Sequence, residues 1–334
     1  MADERDPVER AADGSQDLYD IATWEERTSF DGASVALYWL LTRAAKWFVV
    51  LIALVLLVAI GGLAAVSEPA IGLLTLLSVL PALALTGYVY YADVTTREPL
   101  SLLVATFLLS ILFATFAAII NTLFRPFFEP FGILGLTFYF FLIVGPGEEA
   151  VKMLAVRLYA YTDSRFDSVV DGAVYGAIAG LGFATIENSL YIVRRLAETG
   201  ELADITVGLG ALATGGDITA IRALAGPGHV IYSAVAGFYL GLAKFNPENR
   251  GPIILKGILI AALIHATYNS VSGLAVVSIS SLTGLPQLAS FFVFVIVFDA
   301  VFGLYLLRKI WRYRRVYRRV RAAPVTETSV DKRA

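Results

Sequence analysis

Apolar runs of membrane-spanning length recur from residue 47 to residue 307, separated by short polar breaks. A helical span of hydrocarbon needs about 20 apolar residues. Inside lipid every backbone N–H and C=O must be paired within the protein, which leaves only helices and closed barrels. These runs lack the alternation expected of barrel strands. The chain is 57% hydrophobic and 16% charged, with mean hydropathy +0.72, more apolar surface than a soluble domain of 334 residues can hide. The expected fold class is all-α: a polytopic transmembrane helix bundle in a cell membrane. About eight spans are expected, at 47–66, 70–91, 99–120, 131–161, 169–193, 227–243, 253–272 and 287–307. A ninth follows if 131–145 is a span of its own.

Charge is segregated along the chain. Residues 1–31 carry ten acids, and the end carries Arg308, Lys309, Arg312, Arg314, Arg315, Arg318, Arg319 and Arg321. We read 1–45 as an acidic, largely disordered cytoplasmic arm, 46–307 as the transmembrane domain and 308–334 as a basic cytoplasmic tail. Basic residues stay inside, so both termini are expected in the cytoplasm. Loop 194–226, the longest internal connection expected, then faces out. No cleavable signal peptide is visible. The absence of cysteine removes disulfides, thiolate metal ligands and a cysteine nucleophile.

Polar residues inside the apolar runs are costly and mark function. Glu148, Glu149 and Lys152 form a Glu-Glu-x-x-Lys cluster after Gly145-Pro146-Gly147. Adjacent carboxylates in a low dielectric repel, which suits one of them to general acid–base work; the structural alternative is a solvated pair neutralised by Lys152. Phe183-x-x-x-Glu187-Asn188 ends the next run, on a helix whose Gly172, Gly176, Gly180 and Ala184 make a small-residue stripe. A hydrated Glu187 at the headgroups is the alternative there. The two histidines, His229 and His265, are followed at i+4 by Ser233 and Asn269. Each alone reads as a packing residue; together, opposite two acidic helices, they read as a site.

Counting residues along the spans at 1.5 Å each brings Glu187, His229 and His265 to the outer half of the membrane. Glu148 joins them if a new helix starts at Pro146, because proline favours the first turn and interrupts a helix elsewhere. Gly226-Pro227-Gly228 repeats that tripeptide before His229, suggesting the same local geometry. Asp299 and Asp171 are left outside the site.

The four motifs, in this order on successive runs, resemble the PrsW family of intramembrane proteases, related to the group of CAAX prenyl proteases and bacteriocin-immunity proteins. The resemblance covers about 100–307 and implies a CAAX-protease-like core and an endopeptidase for membrane-anchored protein substrates. It also implies a cut near the extracytoplasmic side, as in the first step of regulated proteolysis of a signalling regulator. Glu187 stands where the wider group usually has histidine, which favours PrsW over a prenyl protease. Two mechanisms stay open. In one, His229, His265 and Glu187 bind zinc and Glu148 or Glu149 is the general base. In the other, no metal is needed: Glu148 or Glu149 activates water, and His265 and Asn269 stabilise the oxyanion. Lys152, Phe183, Asn188 and Ser233 are supporting residues. The expected partners are the substrate and the lipid bilayer, with no role for nucleic acid. The rival readings are an ion- or proton-coupled transporter, with midplane acids and broken helices, and a non-catalytic binding protein of the same fold.

Overall fold

A computed structural model describes residues 7–59, 68–93 and 97–322. Among the described residues there is no strand. The helices are α1 (Pro7–Ala11), α2 (Ser29–Ala59), α3 (Pro69–Tyr91), α4 (Leu100–Phe128), α5 (Gly132–Tyr139), α6 (Gly145–Leu158), α7 (Val169–Thr199), α8 (Leu209–Lys244), α9 (Arg250–Thr283) and α10 (Gln287–Ala322). The chain divides into two compact units, 1–52 and 53–334. The first holds α1 and most of α2, which begins at Ser29, within the segment read as an arm. Asp31 in its first turn accepts hydrogen bonds from the Thr28 N–H and hydroxyl, both at 2.7 Å. The second unit contains every candidate site residue.

Six segments among the described residues are long and apolar enough to cross a membrane, at 29–58, 69–91, 100–158, 169–199, 247–283 and 287–321. The protein is integral to the membrane, and the count differs from the expected eight for two reasons. The expected runs 99–120 and 131–161 belong to one helical stretch that folds back on itself. Gly132, at φ 60°, reverses the chain, and Tyr139 Oη then donates to the Asn121 carbonyl at 3.0 Å. The expected run 227–243 lies in α8, which is packed among α3, α7 and α9. Its glycines and polar residues meet protein rather than lipid.

Two expectations about breaks are corrected. Residues 209–226 are helical, so the connection before α8 is only 200–208 and Pro227 lies inside a helix. Gly215, Gly216 and Asp217 read as a loop. In the fold, Gly215 faces Leu74 so closely that a β-carbon would overlap it. Pro146 does stand in the first turn of α6, as expected, but no break precedes it: α5, a π-helical turn over Phe140–Val144 and α6 follow one another directly. The wide π turn places a residue that has no N–H to give.

α7 and α8 form the centre, and sequence explains their approach. Gly172, Gly176 and Gly180 on α7 face Gly241, Gly237, Ser233 and His229 on α8; a β-carbon on any of these three α7 glycines would overlap α8 backbone. The facing residues are themselves four apart, so two small-residue stripes mesh. α7 is fixed at both ends. Ser168 and Asp171 make a reciprocal capping box, and Gly200 takes the left-handed conformation that ends a helix.

Candidate active site

The meshed stripes run directly into the polar residues, since His229 and Ser233 continue the α8 stripe and Asn188 continues that of α7. Depth follows from the elements. Glu148 lies 10 residues before the end of α6, Glu187 18 after the start of α7, His229 15 before the end of α8 and His265 15 after the start of α9. All four helix ends named lie on one side of the bundle, so these residues sit about 15–27 Å from it.

Glu149 is the hub and is fully buried. Its Oε1 accepts from Lys152 Nζ at 2.7 Å and faces His265 Nδ1 at 3.0 Å, and its Oε2 accepts from Ser233 Oγ at 3.1 Å. A carboxylate is acceptor-only, so His265 presents Nδ1–H to it and keeps the Nε2 lone pair for the other side; this tautomer is assigned from the network. His265 Nε2 lies 3.7 Å from Glu148 Oε2. Glu148 differs from its neighbour. Oε1 accepts from Asn121 Nδ2 at 3.0 Å, whereas Oε2 is buried with no hydrogen-bond partner among the described residues and stands 3.9 Å from Lys152.

His229 is held at both nitrogens. Lys152 Nζ, a pure donor, lies 3.0 Å from Nδ1. Nε2–H then faces Glu187 Oε2 at 2.9 Å. Phe183 covers this corner, with Lys152 Nζ 4.2 Å from its ring centroid. Glu187 is also bound by Arg222, whose Nη2 donates at 2.5 Å. The same guanidinium donates through Nε to Asn188 Oδ1 at 2.8 Å, and Asn188 Nδ2 donates to Ser78 Oγ at 3.0 Å. Asn188 thus ties α7 to α3 and α8.

Glu148, Glu187, His229, His265 and Asn269 line one cavity of about 480 Å³. Glu149, Lys152, Ser233 and Asn188 stand behind it. One carboxylate oxygen of Glu148 and one nitrogen each of His229 and His265 lie within 4.8 Å of one another, a group able to hold a metal ion. It differs by one residue from the expected His229, His265 and Glu187; Glu187 Oε2 is shared between Arg222 Nη2 at 2.5 Å and His229 Nε2 at 2.9 Å. Two residues escaped the sequence reading. Asn121 is a polar residue in an apolar run. Arg222 sits two turns before His229, on the same helical face; its signal was hidden by reading 194–226 as loop.

Residues 98–301 match the family model described as PrsW family intramembrane metalloprotease. The chain belongs to the PrsW family. It is 31% identical over 193 residues to Protease PrsW of Geobacillus kaustophilus, covering 57% of this chain and 76% of that protein. It is 28% identical over 192 residues to Protease PrsW of Bacillus subtilis, covering 57% and 78%. Protease PrsW of Shouchella clausii is 27% identical over 199 residues, covering 59% and 81%. No solved structure matches. This PrsW-family chain is an intramembrane endopeptidase, and the matched residues enclose the whole cavity-lining polar set from Asn121 to Asn269.

Proposed function

We propose that Glu148 is the catalytic carboxylate of this peptidase and that Glu149 is its positioning neighbour. The observation that carries this is the Glu148 Oε2 atom: buried, without a hydrogen-bond donor and beside His265 Nε2. A carboxylate oxygen with a free lone pair takes a proton from an attacking water. Glu149, saturated by three donors, is unsuited to that job. It aims His265, as outer carboxylates commonly aim imidazoles. Asn269, one turn after His265 on the cavity wall, is placed to donate to the oxygen that becomes charged as the carbonyl is attacked.

Charge supports a second reading. The site holds three carboxylates (the buried Glu148 and Glu149 and the part-buried Glu187) and two fixed cations (the buried Lys152 and the part-buried Arg222). One negative charge is left over, and a buried uncompensated charge is expensive. A carboxylate and two imidazoles suit zinc, and the orphaned Glu148 Oε2 is a vacant donor, so Glu148, His229 and His265 fit a metal. When bound, it supplies Lewis-acid polarisation of the scissile carbonyl. The chain's own part is to keep the imidazoles oriented: His265 by Glu149, and His229 by whichever of Lys152 and Glu187 it retains.

The arginine-rich end of α10 lies on the side where α7 and α9 start and α8 ends, with Lys309 Nζ 4.6 Å from the Tyr239 ring centroid. Under the positive-inside rule that side is cytoplasmic, which puts the C-terminus inside. The site, about 15–27 Å deeper, then falls in the middle and outer parts of a hydrocarbon layer about 30 Å thick. This supports a cut toward the extracytoplasmic side of a membrane-anchored protein, the position at which regulated proteolysis of a signalling regulator begins. The test is cleavage of a panel of single-span membrane proteins by the purified protein in liposomes. Wild type is expected to cut, and Glu148→Gln and His265→Ala are expected to be silent while remaining folded. Equal cleavage by wild type and Glu148→Gln sinks the assignment.

A further inference from the structure

Three carboxylates converge far from the peptidase cavity. Asp93 follows α3, Glu98 precedes α4, and Asp171 lies in the first turn of α7. One oxygen of each lies within 4.8 Å of the other two. Glu98 is 4% exposed and Asp171 0%. Asp171 is 16 residues before Glu187 on the same helix, about 24 Å away.

The hydrogen bonds present account for only part of this cluster. Asp171 Oδ2 accepts from the N–H groups of Asp167 at 2.6 Å and Ser168 at 2.8 Å, and Oδ1 meets the Ser168 hydroxyl. Glu98 Oε2 accepts from the Tyr175 hydroxyl. Glu98 Oε1 is buried with no hydrogen-bond partner among the described residues, although its carboxyl lies within side-chain hydrogen-bond range of Asp171. Two buried acceptors facing each other are unfavourable unless something positive sits between them.

We propose that Asp93, Glu98 and Asp171 bind a hard divalent cation of the calcium type, which clamps the end of α3 to the starts of α4 and α7. An all-oxygen carboxylate set selects hard cations, whereas the imidazole-rich peptidase site suits zinc. Calcium binds oxygen at about 2.3–2.6 Å, so oxygens on opposite sides of it stand about 4.6–5.2 Å apart. The three oxygens, all within 4.8 Å of one another, are close enough together to share one such ion. The clamp holds the start of the helix that carries Glu187 and Asn188.

Tyr175 supplies the probe. Its hydroxyl contacts Glu98 and its ring stacks on Phe166 at 5.5 Å, so terbium, a calcium mimic, bound here will be sensitised by tyrosine excitation. Terbium is titrated into the purified full chain, with calcium as competitor. We expect saturable emission, displaced by calcium, lost in Glu98→Gln and in Asp93→Asn, and kept in Glu148→Gln. Calcium should raise the melting temperature of wild type and not of the Asp93→Asn variant. Asp93 is outside the capping box, so that variant reads the site even if Glu98→Gln fails to fold. Absence of saturable emission overturns the proposal and leaves a proton shared by the carboxyls. Emission that survives Asp93→Asn, or disappears only in Glu148→Gln, overturns it equally, because the ion is then elsewhere.

Discussion

Glu148 and Glu149 are adjacent in sequence and chemically identical, yet the fold assigns them opposite sensitivities. Glu149 accepts from Lys152, His265 and Ser233 within 2.7–3.1 Å, with no exposure. In Glu149→Gln the amide keeps one acceptor and turns a donor toward groups that already donate. Lys152 is left buried, 3.9 Å from the remaining carboxylate of Glu148. Breaking a buried pair by removing one partner costs about 3–5 kcal/mol. At roughly 2–4 °C per kcal/mol for a domain of this size, melting should fall by about 6–20 °C. Glu148→Gln is different. The amide oxygen keeps the Asn121 bond, and the atom replaced at Oε2 has no hydrogen bond to lose. Removing one charge from a set with a negative excess should leave stability near that of wild type, or raise it. Activity should fall by about 10²–10⁴, the usual worth of a positioned general base. The assays are heat challenge followed by size-exclusion chromatography in detergent, and cleavage of a single-span reporter in liposomes. If Glu149→Gln melts with wild type, or if Glu148→Gln is the unstable variant, the division of labour argued from the hydrogen bonds is wrong.

Three further outcomes follow from the same geometry. Elemental analysis of purified protein should find zinc in wild type and in Glu187→Gln but not in His265→Ala or Glu148→Gln; retention in the last two would remove them as ligands. Asn121→Ala should lower cleavage by about 10–100-fold, the range seen when an outer partner of a functional group is lost, with folding intact; unchanged cleavage would show that Glu148 needs no such support. Gly180→Val places a side chain against the His229 carbonyl, where even a β-carbon overlaps. Overpacking of that kind costs about 1–3 kcal/mol or more, so both melting temperature and activity should drop; a fully active variant would mean that α7 and α8 can separate without harm.

The motifs were legible because membrane burial filters the alphabet. Glu148, Glu187, His229 and His265 stand out against apolar neighbours, and four of their kind line one cavity with Asn269. The glycine stripe of α7 was legible for the same reason, as spacing alone shows one face. Its partner stripe on α8 was readable too, at positions 229, 233, 237 and 241, but only once α7 indicated what it faces. Reading failed where local and tertiary signals conflict. Gly215, Gly216, Asp217 and Pro227 are breakers by propensity, yet α8 continues through them; Gly215 is packed against Leu74, while Asp217 is exposed. That error concealed Arg222.

The amino-acid sequence by itself determined a helical membrane protein, its polar residues and its resemblance to PrsW proteases, because hydrocarbon permits few backbones and few charges. Only the tertiary structure decided which of two adjacent glutamates is saturated, that Arg222 and His229 share one oxygen of Glu187, and that an oxygen of Glu148 lies close to a nitrogen of each histidine. Those outcomes depend on hydrogen bonds of about 3 Å between helices far apart in sequence. Helical periodicity places a residue on a face, but it does not say which donor reaches which oxygen.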